Sequence, residues 1–180
     1  NRKEIIAGLD TFIKNYDDWI ITKDNELEES ISKVRTSPAN KNILIKRGES
    51  NLDKCRDFSK RMRKGVTLLS ENDFIYKAFI DANRAMYMQR CMSDFISKRK
   101  LEKEKIFPGI DDVELPNFKN DYHYKNENKF LAKWRPFQLA FLLSQIEGII
   151  NPKSKDRDTI DLLWFSTGGG KTEAYLGLIA

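Results

Sequence analysis

Apolar residues recur at three- and four-residue steps through the first part of the chain, and this spacing commits it to helices packed against one another. Ile6, Leu9, Phe12, Ile13, Tyr16, Trp19 and Ile20 fall on one side of a helix beginning near Ile5, because a turn takes about 3.6 residues. An acidic, loosely periodic stretch follows from Asp24 to Ser32. Ser37-Pro38 has the form of an N-cap with proline in the first turn, opening a short helix through Ile43 and Ile45 that Gly48 stops. Ser50 with Asp53 resembles a capping box for the next helix, whose buried stripe is Leu52, Cys55, Phe58, Met62, Val66 and Leu69. The opposite side carries Lys54, Arg56, Lys60, Arg61, Arg63 and Lys64. Asn72 is placed to cap a third helix with the stripe Ile75, Phe79, Ala82, Met86, Cys91, Met92 and Phe95. A helical bundle over residues 1–105 is the simplest architecture.

The pattern then changes. The charged run Lys98 to Lys105 ends at Pro108-Gly109, and a polar region with Pro116 and several Asn extends to Lys129. This marks a linker over 106–133. Pro136 opens a helix with the apolar face Phe137, Leu139, Ala140, Leu142, Leu143 and Ile146, closed by Gly148. After a solvent loop from Asn151 to Asp158, the run Ile160-Asp161-Leu162-Leu163-Trp164-Phe165 reads as a short buried parallel strand. Helical character returns from Lys171 to Ala180. The expected fold is therefore an α-helical N-terminal bundle followed, over 134–180, by the start of an α/β P-loop (RecA-like) ATPase domain. Because the chain begins at Asn1 and ends at Ala180 inside that last helix, it reads as a piece of a longer protein.

Composition narrows the classes. With 40% hydrophobic and 33% charged residues, the chain suits a helix-rich globular protein rather than a disordered one. A net charge of +5 permits a polyanionic partner and equally a solvated surface. Cys55 and Cys91, with His123 alone beside them, offer no zinc spacing, so buried reduced thiols are expected. No apolar run spans a bilayer and no signal peptide is seen, which makes the expected location cytoplasmic. Glu102 and Glu104 balance much of the Lys98–Lys105 run, which reads as a helix end on the surface. Tyr122, Tyr124, Phe130 and Trp134 read as packing groups before stacking platforms.

The chemistry lies at Ser166-Thr167-Gly168-Gly169-Gly170-Lys171-Thr172. Gripping a triphosphate needs backbone N–H groups that converge on phosphate oxygens, which residues without a Cβ allow at close range. Thr167, Gly168, Gly169 and Gly170 form that loop, Lys171 brings an ammonium to the phosphates, and the Thr172 hydroxyl joins the shell of a Mg²⁺ ion. The strict Walker pattern has glycine where Phe165 stands. Upstream, Gln138 in Trp134-Arg135-Pro136-Phe137-Gln138 carries an amide that can accept from the adenine amino group and donate to N7.

Arg-Pro-Phe-Gln followed by Ser-Thr-Gly-Gly-Gly-Lys-Thr resembles the Q-motif and motif I of superfamily-two helicases. Trp134 to Leu143 and Asp161 to Leu178 look like the helicase subunits of the DISARM phage-defence system, the DrmA type. That family typically has proline where Ser166 stands, and phenylalanine at 165 is normal in it. The helical part looks similar too, notably Arg61-Met62-Arg63-Lys64-Gly65 and Ala82-Asn83-Arg84-Ala85-Met86. The resemblance implies an ATP- and Mg²⁺-dependent DNA helicase or translocase working with a DNA methyltransferase and other defence subunits, with Arg135 and Gln138 in its nucleotide site. Two other readings stay open: a translocase on duplex DNA like those of restriction enzymes and remodellers, and a helical module that docks a partner protein. The first is decided by the motor sequence expected beyond Ala180, the second by whether the Lys54–Lys64 face is exposed toward DNA or neutralised by the acidic Asp24–Glu29 segment.

Overall fold

The computed structural model describes residues 1–102, 133–164 and 168–180, with all their side chains except those of 95 and 97–102. Its elements are α1 (Arg2–Ser32), α2 (Pro38–Glu71), α3 (Asp73–Glu102), α4 (Pro136–Ile150), a 3₁₀ turn (Lys155–Asp158) and α5 (Lys171–Ile179). They form two compact units, Asn1–Tyr76 with Leu139–Trp164, and Lys77–Gln138 with Phe165–Ala180. Among the described residues, no helix is long and apolar enough to cross a membrane.

In the first unit α1 and α2 lie antiparallel, as the order of their contacts shows. Arg2 donates to the Leu69 carbonyl at 2.7 Å. Tyr16 meets Phe58 edge-on at 6.2 Å, and Asp24 pairs with Arg56 at 2.7 Å. Between them Leu9, Ile13, Ile20 and Ile31 face Leu52, Met62, Val66 and Leu69, all buried. Each such side chain contributes about 1.5–3 kcal/mol when taken out of water. The Ser37-Pro38 cap forms as the sequence indicates, with Ser37 accepting from the Asn40 N–H at 3.3 Å. Asn72 caps α3 by accepting from Phe74 and Ile75 at 2.9 and 3.1 Å.

Two expected breaks, at Gly48 and at Gly148, are absent, and the first helix is longer than its apolar stripe. α1 runs through the acidic stretch to Ser32, where Lys23–Glu26 and Lys33–Glu29 pairs suit helical spacing. α2 runs through Gly48, and Ser50 with Asp53 lies inside it. A Cβ at Gly48 would sit 2.4 Å from Leu27 Cδ1, so this glycine makes room for a side chain of α1 instead of stopping a helix. α4 likewise passes Gly148 to Ile150.

The larger correction concerns the α/β start. Every regular element among the described residues is helical, and residues 160–164 belong to no strand. Ile160, Leu162 and Trp164 are 96%, 78% and 85% exposed, the reverse of a buried strand. Asp161 explains the inversion. Both of its oxygens accept from Arg61, at 2.7 Å each, and Gln145 Nε2 donates to it at 2.6 Å. With the carboxylate held inward by these bonds, the adjacent Ile160 and Leu162 are left facing solvent. Phe165 lies outside the described residues.

α4 enters the first unit as a helix apolar on most sides, with Ala140, Phe141, Leu142, Leu143 and Ser144 all buried, as an interior helix should be. Gly65 on α2 lets it approach: a Cβ there would sit 2.1 Å from the Leu143 carbonyl oxygen. Backbone cannot yield as Leu27 can. Gly65→Ala is expected to destabilise the chain by about 1–3 kcal/mol despite alanine's better helix propensity, read as a lowered urea midpoint. Gly48→Ala should be close to neutral in the same measurement.

The Arg61 guanidinium holds the Asp161 carboxyl below the usual carboxylate range, against the opposing effect of partial burial. A depressed pKa gives stability that is present above the ordinary value and lost as pH falls through the folded one. Asp161→Asn should therefore cost about 2 kcal/mol at neutral pH. Urea titrations should show the gap to wild type closing below about pH 4.

Candidate phosphate-binding loop

In the second unit the glycines lead directly into α5. Gly168 and Gly170 have φ of +80° and +85°, a left-handed backbone that side chains with a Cβ resist. Gly170 is the N-cap of α5 and supplies no capping side chain. Lys171, half-buried, is the first helical residue, and Thr172 follows it exposed.

The start of α4 reaches this loop through two side chains. Arg135 Nη1 donates to the Gly169 carbonyl at 2.9 Å. Gln138 Nε2 donates to the Gly170 carbonyl at 2.7 Å, while its Oε1 accepts from the Arg135 backbone N–H at 2.8 Å. With Pro136 as the first helical residue, that last bond is the returning half of a capping box. Gln138 is 5% exposed. A Cβ on Gly170 would lie 2.7 Å from Gln138 Nε2, so the amide reaches its carbonyl because the residue is glycine.

Beside the loop lies a cleft of about 500 Å³, lined among others by Asn83, Met86, Tyr87 and Arg90 of α3 and by Trp134. Trp134 Nε1 donates to Asn83 Oδ1 at 2.7 Å, and Asn83 Nδ2 donates to the Phe79 carbonyl at 2.6 Å. Asn83 thereby fixes one edge of the indole. Sequence reasoning assigned Met86 to a core stripe and gave none of these α3 residues to a site. The available signal was their spacing, since 83, 86, 87 and 90 share one helical face and mix polar with apolar groups.

The structure thus brings together Arg135, Gln138, Gly168, Gly169 and Gly170, with Lys171 and Thr172 next along α5. Thr167 and Ser166 lie outside the described residues, as do Tyr122, Tyr124 and Phe130. Among the described residues no group of three or more His, Cys, Asp or Glu is placed to hold a metal ion. Cys91 is buried and Cys55 half-buried, both free.

The relationship to known proteins runs the length of the chain. It is similar to DrmA. Identity to the DISARM protein DrmA of Bacillus paralicheniformis is 35% over an alignment covering all of this chain and 13% of that protein. No protein-family model matches the chain, and no solved structure matches it.

Gly170→Ala should disturb the loop twice, through its positive φ and through the displaced Gln138 amide. A loss of about 1–3 kcal/mol is expected, seen as a lowered melting temperature. The same change at Gly168, where a Cβ meets nothing within 4 Å, should cost only the backbone part.

Proposed function

We propose that the chain carries the phosphate grip of an ATP-driven motor, a helicase or translocase acting on DNA within a DISARM phage-defence system. The observation that carries the reading is a glycine loop with two left-handed residues opening directly into α5, its carbonyls held by Arg135 and Gln138. Backbone N–H groups at the start of a helix favour anions. Lys171 adds a cation for the phosphates, and the exposed Thr172 hydroxyl is available to a Mg²⁺ ion that the nucleotide brings. The residues fit such a ligand, since substituents at the glycines would strain the backbone or collide with Gln138. ATP supplies the energy of hydrolysis; this chain's part is to bind and orient its phosphates.

Similarity to a protein named for DISARM supports placing the motor in phage defence. Partners of that kind, other defence subunits and a DNA methyltransferase among them, belong to the same proposal. The basic face of α2 favours a structural role for the α1–α2 hairpin over DNA contact. Arg56 pairs with Asp24, Lys60 with Asp57, Arg61 with Asp161, Arg63 with Asp17 and Lys64 with Asp156.

Calorimetric titration of ATP with Mg²⁺ checks the grip. Lys171→Ala should weaken binding by about tenfold or more while the melting temperature stays near that of wild type. Unchanged affinity in that variant would remove the loop from nucleotide binding.

A further inference from the structure

We propose that Gln138 and Arg135 are positioning residues that aim the N–H groups of the glycine loop, so that their contribution to nucleotide binding is independent of the base. This rests on the reading of Gly168–Thr172 as a phosphate grip and deepens it.

The argument starts from the peptide plane. In a trans peptide the N–H points opposite to the C=O, and the described residues contain no cis bond. The Gly169 carbonyl shares its plane with the Gly170 N–H, and the Gly170 carbonyl shares its plane with the Lys171 N–H. Arg135 Nη1 holds the first carbonyl and Gln138 Nε2 the second, at 2.9 and 2.7 Å. Both carbonyls are therefore drawn toward the start of α4, and both N–H groups are turned to the opposite side. Two adjacent donors facing the same way make an anion-binding concavity. Glycines are the residues most prone to flip such planes, because positive and negative φ are nearly equal for them. Two side-chain donors on consecutive carbonyls remove that freedom.

The Gln138 amide is also fully engaged. Its oxygen accepts from the Arg135 N–H and its nitrogen serves Gly170. Exchanging the two ends would set oxygen against oxygen and N–H against N–H, so the neighbours dictate the orientation. Reading adenine would need that same acceptor and donor pair at a side chain 5% exposed. Release of Gly170 would be the consequence, and the loop would lose its aim as the base arrived.

Binding of ATP, GTP and inorganic tripolyphosphate to the full chain tests this, by calorimetry with melting temperatures recorded in parallel. Gln138→Ala should weaken all three by a common factor of about tenfold. Arg135→Ala, at an exposed position, should weaken all three as well and carries the test if Gln138→Ala fails to fold. Arg135→Lys keeps a donor for the Gly169 carbonyl and should recover most of the affinity, which a purely structural role would not predict. A loss confined to ATP would make Gln138 a reader of the base and overturn the proposal. So would tripolyphosphate binding that survives in both alanine variants. Lys171→Ala separates the two levels. If it binds tripolyphosphate as wild type does, the phosphate grip itself fails. If it loses binding while the Gln138 and Arg135 variants keep it, only the positioning role falls.

Discussion

The forked pair between Arg61 and Asp161 is the interaction on which the first unit most depends. Its two 2.7 Å bonds tie a segment without regular structure to the middle of α2, where side-chain exposures of 13% and 20% leave little water to compete. A planar guanidinium matches a carboxylate in one orientation only, so the pair fixes direction as well as distance. Gln145 closes the remaining side of the carboxylate from α4. One aspartate thus joins α2, α4 and the segment after the 3₁₀ turn. Its inward placement leaves Ile160, Leu162 and Trp164 in solvent.

That clamp belongs to a wider pattern in which the cations from Arg56 to Lys64 on α2 pair within the chain. Asp17 and Asp24 on α1 take Arg63 and Arg56, and Asp156 in the 3₁₀ turn takes Lys64. Exposed pairs of this kind contribute little to stability, because water and salt screen them. Their larger effect is on the field: the Arg56–Lys64 stretch, basic in sequence, presents a surface of mixed charge in the fold. The net charge of +5 therefore says little about where a partner would sit.

What the sequence made legible were the features set by neighbours in the chain. The Ser37-Pro38 and Asn72 caps and the apolar stripes of α1 and α2 need only local geometry, and they stand as read except at Trp19, which is 46% exposed. Glycine was misread at 48 and 148 because its tolerance of turns says nothing about whether a turn is made; at 48 the deciding atom is Leu27, on another helix. Residues 160–164 were misread because their apolar content outweighed Asp161, whose partner stands 100 residues away. For the loop, the residues were legible and part of their arrangement was not. Nothing local announces that Trp134 bonds Asn83 across 51 positions, or that one face of α3 lines the neighbouring cleft.

Gln138 and Gly170 show why such a site resists piecemeal reading. The glycine is needed for its left-handed φ and again because a Cβ would displace the amide. The glutamine sits one turn into α4 because Pro136 starts the helix there, and its oxygen completes the cap that Pro136 begins. Each residue's second purpose exists only in the presence of the other. The alignment with DrmA spans α1 to α3 as fully as it spans the loop, so the helical part is no appendage peculiar to this chain. Its role need not be contact with DNA. Gly65, where a Cβ would collide with the Leu143 carbonyl, gives α2 a packing role of its own against the Leu139–Ile150 part of α4.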